Sequence, residues 1–274
     1  MNDIKIGIIS TQFAINFGAV LQAYALRKKI ENLGYNCEII NYVPNYKVSG
    51  RNKIPIRLNG FKNIVLTLIY FLNFKYRLNS SNKIKKFDHF IEQFCNLSKE
   101  RYSSYLDLRN RLPQYDSLIC GSDQIWNLNL FNNDLAFFLR FEDIYPKTNY
   151  ISYAPSIAED LTSQQYENII KNILHFKFIS IREKSGATNL SKYTDMKIQT
   201  VLDPVFLLDE NDWSEIEEPM NIKKPYLLNY GMVGGKRYYD IFKKIRKNLC
   251  LDVVNINLLP FNKFKADYSI TDMS

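Results

Sequence analysis

The sequence has little from which to build a metal centre or a disulfide framework. Its four cysteines, Cys37, Cys95, Cys120 and Cys250, are far apart and form no C-x-x-C pair. Cys37 and Cys120 sit in or beside apolar runs, and the four read as buried thiols kept in a reducing compartment. The two histidines, His89 and His175, lie on helical segments of aromatic and basic residues, where a surface or internally satisfied ring is the expectation. No metal site is expected. The N-terminus, Met1-Asn2-Asp3-Ile4-Lys5, lacks the basic region and long apolar stretch of a signal peptide, so the expected location is cytoplasmic. Zinc-finger, helix-turn-helix and aromatic RNA-binding signatures are missing too, and nucleic acid is not an expected partner.

Acidic residues are missing from one long stretch. Lys47, Arg51, Lys53, Arg57, Lys62, Lys75, Arg77, Lys83, Lys85 and Lys86 follow one another with no Asp or Glu among them. The formal charge of +8 comes from this stretch, and the remaining chain is close to neutral. Inside it, residues 64–72 form an apolar run too short to span a bilayer, which reads as a core or interfacial helix. Two readings fit the stretch: a solvated basic face on an insertion, or a patch for an anionic partner such as a lipid-phosphate carrier or the inner face of the membrane.

What is present is an α/β rhythm. At 274 residues and 46% hydrophobic, the chain can bury one large domain and part of another. Residues 4–10 are a short apolar run, followed by a turn with Gly18. Val20, Leu21, Tyr24, Ala25, Leu26 and Ile30 then recur at helical spacing up to Gly34. Residues 37–42 read as a second strand, which makes a β-α-β unit. A basic insertion is expected over about 45–99, with Phe87, Phe90, Ile91 and Phe94 as a helix stripe. Strands are expected at 115–120, 149–153, 178–181 and 198–201, and a helix at 164–174. Alternation of this kind predicts a doubly wound parallel sheet. The N-terminal domain is placed at 1–216, a polar linker with Pro219 at 217–225, and the opening of a second Rossmann-like domain at 226–274.

In an open parallel sheet, ligands gather at the carboxyl ends of strands, where loops and helix N-termini present free N–H groups. Four strand ends carry suggestive residues. After the first come Asn16, Gly18 and Gln22, which fit either a ligand-facing turn or a capped helix start. After the strand at 115–120 come Ser122, Asp123, Gln124, Trp126 and Asn127, dense in groups that suit hydroxyl-rich ligands, with Asp123 able to serve as a general base. The bland alternative there is a helix cap with Trp126 in the core. Tyr153 and Ser156 follow the next strand. Arg182, Glu183 and Ser185 follow the fourth, where Arg182 suits either a carboxylate or phosphate ligand or an ion pair that shapes the turn. Asp203, ahead of Pro204, reads as a turn former.

Taken in order, five segments resemble the polysaccharide pyruvyltransferase family. These are N-x-G-A-V-L-Q-A-Y-A-L from Asn16, Y-D-x-x-I-x-G-S-D-Q-x-W-N at 115–127, I-S-Y-A-x-S at 151–156, I-S-x-R-E-x-S-G at 179–186, and L-D-P-x-x-L-L at 202–208. The resemblance runs almost end to end. It implies two Rossmann-like halves in the manner of GT-B glycosyltransferases, a phosphoenolpyruvate co-substrate with no resident cofactor, and a glycan acceptor that offers two hydroxyls, which the basic stretch would suit if it is held on a lipid carrier. Asp123 and Arg182 become the expected catalytic pair, with the other strand-end residues binding substrate. The family's second-half T-N-S-F-H-G motif has no match here. The expectation is therefore a second domain cut short and a chain inactive as it stands. A nucleotide-sugar glycosyltransferase and a non-catalytic saccharide-binding remnant remain the alternatives.

Overall fold

The computed structural model describes residues 2–47, 74–158, 160–219, 222, 224–230, 236–256 and 267–270. The chain divides into two compact units, one of residues 1–53 with 89–216 and one of residues 54–88 with 217–274. The apolar run at 64–72 and the glycine-rich turn at 231–235 lie outside the described residues.

The first unit opens with β1 (Asn2–Ile9), α1 (Phe17–Asn32) and β2 (Tyr35–Tyr42). Ile6, Ile8 and Ile9 are buried, as a strand covered on both faces requires. Gly7 leaves room for the neighbouring strands: a Cβ there would meet Ile40, Leu118 and Tyr115 side-chain atoms at 3.0 Å. Asn16 Oδ1 accepts from the Ala19 N–H and starts α1, while Gly34, at φ 89°, adopts the left-handed conformation that releases the chain into β2. The helix α2 (Phe74–Phe94), whose residues up to 88 belong to the second unit, then leads to β3 (Leu97–Tyr102) of the first. This strand corrects the sequence reading, which ran the insertion through residue 99. Its Lys99, Glu100 and Arg101 are exposed because it is an edge strand, so it carries no apolar run to betray it.

The chain continues through α3 (Tyr105–Arg111), β4 (Ser117–Cys120), the single turn α4 (Leu128–Phe131), β5 (Asn149–Ser152), α5 (Ser163–Ile173), β6 (Ile179–Ile181), α6 (Lys184–Leu190), β7 (Ile198–Thr200) and α7 (Glu210–Ser214). Five strands form one parallel sheet in the order β3-β2-β1-β4-β5, so the fold is α/β as expected. The strands β6 and β7 pair with each other. They join β5 through two backbone bonds, Ser152 N–H to Phe178 O at 3.1 Å and Lys177 N–H to Tyr150 O at 2.8 Å, and through side chains: Ser152 Oγ donates to Ser180 O at 2.9 Å and Ser180 Oγ to Ser152 O at 2.7 Å. The core is rich in aromatic side chains: Trp126 stacks on Phe138 and meets Phe176 edge-on, and Phe137, Phe141 and Tyr115 are fully buried in the same cluster.

The second unit holds β8 (Tyr226–Asn229), α8 (Lys236–Leu249), β9 (Asp252–Ile256) and β10 (Tyr268–Ile270), with the strands parallel in the order β10-β9-β8. Asn229 donates to Asn255 Oδ1 at 2.6 Å, which pairs two buried amides across neighbouring strands. Three cysteines are buried, and burial pushes the Cys37 and Cys95 thiols up to about 12. Cys250 departs from the reading: it follows α8 with φ 51° and is exposed.

Candidate active site

In the sheet order β3-β2-β1-β4-β5, the chain winds outward to β2 and β3 on one side of β1 and to β4 and β5 on the other. The direction of winding reverses between β1 and β4, and a crevice for ligands opens at such a reversal, beyond the carboxyl ends of the strands. Two loops meet there. Ser10, Thr11 and Gln12 leave β1, and Gly121, Ser122 and Asp123 leave β4. Thr11 Oγ1 donates to Asp123 Oδ2 at 2.7 Å, and the Gln124 N–H donates to Asp123 Oδ1 at 2.8 Å. Asp123 itself sits at φ 75°, a left-handed conformation that short polar side chains tolerate and most others do not. Behind it, the Ser156 N–H donates to Asp123 O at 2.8 Å, which locks the β4 loop to the β5 loop. Gly121 allows the two loops to close, since a Cβ there would lie 3.1 Å from both Ser10 side-chain atoms.

A second set of contacts reaches the same loop from the far strands. Arg182 Nη1 donates to Asp203 Oδ2 at 2.8 Å, and Arg182 Nε approaches Glu183 Oε1 at 3.3 Å. The same Asp203 oxygen lies 3.2 Å from Ser122 Oγ, which is also 2.9 Å from Ala154 O. Burial works against the Arg182 charge, but the Asp203 hydrogen bond and the Glu183 and Asp203 charges outweigh it and raise its pKa. Burial, and then the Asp203 charge, raise the pKa of the Tyr153 hydroxyl. The structure therefore joins Ser122 and Arg182 through a residue that the sequence had marked only as a turn former, and the charge of that residue reaches Tyr153. Asp203 does form that turn, with Oδ1 accepting from the Val205 N–H at 3.1 Å.

Other residues singled out from sequence take supporting places. Trp126 is fully buried and its Nε1–H donates to Phe137 O at 3.3 Å, so it underpins the loop and offers no surface. Asn127 is buried and caps α4, with Oδ1 accepting from Asn129 N and Leu130 N at 3.1 Å each, and it donates to Gln124 Oε1 at 3.4 Å. Gln22 is buried, donating to Ser10 Oγ and to Ala19 O at 2.8 Å each. Asn16 caps α1, and Gly18 beside it is exposed. Ser156 is buried with its hydroxyl unpartnered among the described residues. Ser185 is exposed on the first turn of α6.

The family model for polysaccharide pyruvyl transferase matches residues 16–273, nearly the whole chain. The chain belongs to the polysaccharide pyruvyl transferase family. No curated protein and no solved structure matches it. In this pyruvyl transferase family member, the residues that sequence reasoning passed over are Ser10, Thr11, Gln12 and Asp203. The first three have no motif of their own, and only their place at the end of β1 marks them. Gln12 donates to Ile40 O at 3.2 Å and Tyr42 O at 3.5 Å, and its buried Oε1 has no partner among the described residues. No helix among the described residues is long and apolar enough to cross a membrane.

Proposed function

We propose that this member of the transferase family moves the pyruvyl group of phosphoenolpyruvate onto two hydroxyls of a surface glycan, forming a ketal and releasing phosphate. The methylene carbon of the donor takes up a proton and becomes a methyl group. One sugar hydroxyl oxygen bonds to the adjacent carbon, the bond from that carbon to the phosphate oxygen breaks, and a second hydroxyl closes the ring. Of the two hydroxyl protons, one balances the methyl group and the other leaves with phosphate. The observation that carries the reading is Asp123, a carboxylate held by Thr11 and by the Gln124 N–H at the switch point of the sheet. In this proposal its carboxylate is the base that takes a proton from an acceptor hydroxyl. The proposed overall plan is GT-B-like, with phosphoenolpyruvate as co-substrate and no resident cofactor.

The acceptor, in this proposal, is presented on a lipid-phosphate carrier, and the acid-free basic stretch at residues 47–86 supports contact with the inner membrane face through its ten cations. Asp123→Asn keeps the shape and removes the base. In a phosphate-release assay with phosphoenolpyruvate and a purified glycan, it is expected to lower turnover by at least about 10²-fold. Unchanged turnover would remove Asp123 from the chemistry. Thermal stabilisation by a nucleotide sugar, with none by phosphoenolpyruvate, would overturn the donor assignment.

A further inference from the structure

The Arg182 guanidinium is the natural first choice for an anion, yet its surroundings are wrong for one. Nη1 is taken by Asp203 and Nε by Glu183, so two carboxylates already stand against this one cation. An incoming carboxylate or phosphate would meet a cluster whose formal charge is already negative, and the two-pronged grip a guanidinium offers such an anion would require displacing a charge-assisted bond of 2.8 Å. A neutral polyol has no such conflict. Carboxylate oxygens accept from its hydroxyls, while Arg182 Nη2, which makes no hydrogen bond among the described residues, can donate to them.

Asp203 creates this situation. It comes from the turn after β7, yet its Oδ2 reaches the end of β6 at Arg182 and the end of β4 at Ser122, one residue from Asp123. Its Oδ1 is fixed by the Val205 N–H, so the carboxylate cannot swing away without losing the start of the helical turn over 204–207. We propose that Asp203 is a positioning residue that sets both the aim and the charge of the site: it fixes Arg182 beside the Asp123 loop and, with Glu183, cancels the guanidinium charge, so that this strand-end cluster takes the uncharged, hydroxyl-bearing acceptor and turns the anionic donor away. The inference rests on the transferase reading above and deepens it.

The test uses the whole chain with Asp203→Asn, Arg182→Lys and the double variant. Asparagine caps a helical turn as well as aspartate does, so Asp203→Asn is expected to melt close to the wild type. The KM for the glycan should rise about tenfold, the scale of one lost charge-assisted hydrogen bond, with the KM for phosphoenolpyruvate nearly unchanged. Inorganic phosphate, inert against the wild type, should become a competitor of the glycan. The double variant should be no worse than Arg182→Lys alone, because Asp203 acts through Arg182. A readout free of turnover runs alongside: phenylglyoxal modification of Arg182, followed by peptide mass, should speed up several-fold in Asp203→Asn, and phosphate should protect Arg182 in the variant only.

A raised KM for phosphoenolpyruvate with an unchanged one for the glycan would place Arg182 at the donor and overturn the proposal. So would phosphate protection in the wild type, or additive losses in the double variant. If Asp203→Asn melts much lower, the assays are run well below its midpoint: a glycan KM and an Arg182 modification rate equal to those of the wild type there leave Asp203 purely structural and sink the idea. A wild-type chain that transfers no pyruvate defeats the functional reading, while the modification and phosphate arms still decide what Asp203 does to Arg182.

Discussion

Asp123 is held in a backbone conformation that few residues accept, and this separates its two jobs. At φ 75° an aspartate or asparagine loses little, whereas alanine is disfavoured by about 1–2 kcal/mol. Asp123→Ala should therefore lower the free energy of unfolding in urea by at least that amount, and Asp123→Asn by clearly less. Equal losses would mean that the hydrogen bonds from Thr11 and Gln124, more than the backbone, set the cost. Trp126 shows the converse at the same loop. Its indole supplies the packing on Phe138 that lets a polar loop sit on a core. A residue that a motif makes look ligand-facing can thus be the loop's foundation.

Among the elements, the segment that leads from α5 to β6 carries a titratable ring that is largely but not fully buried. His175 follows α5, with Nε2 3.1 Å from Leu139 O and its ring edge-on to Tyr150. Burial lowers its pKa below the usual histidine value. The Glu142 carboxylate, 3.8 Å away, raises it in part, and the Arg140 guanidinium opposes protonation. The folded protein thus resists a proton that the unfolded chain accepts near pH 6.5. The stability associated with His175 is present above about pH 6.5 and is lost as the pH falls from there through the depressed folded value. Urea melts between pH 7.5 and 5 should show this decline, and His175→Gln should flatten it. An unaltered slope in the variant would assign the decline to other groups.

For the molecule as a whole, charge is concentrated in residues 47–86 while the strand-end site is rich in carboxylates. Sedimentation with anionic vesicles should therefore depend on the basic stretch and weaken as salt approaches physiological levels, where the Debye length is about 8 Å. Equal binding to neutral vesicles, or none at low salt, would return the stretch to a solvated face. The sequence by itself determined the α/β alternation, the stop of α1 at Gly34, the loop at residues 121–127 and the family, because each is written in contiguous residues: apolar periodicity, a helix stop, or an ordered motif; whether Asn16 capped α1 or faced a ligand it left open. It did not determine β3, whose exposed Lys99, Glu100 and Arg101 look like any polar segment until β2 supplies a partner. Nor did it determine that Thr11 holds Asp123 across 112 positions of chain, or that Asp203 holds Arg182 across 21. Those pairings exist only because parallel strands bring their carboxyl ends to one edge of the sheet, and sequence distance carries no trace of which ends will be neighbours.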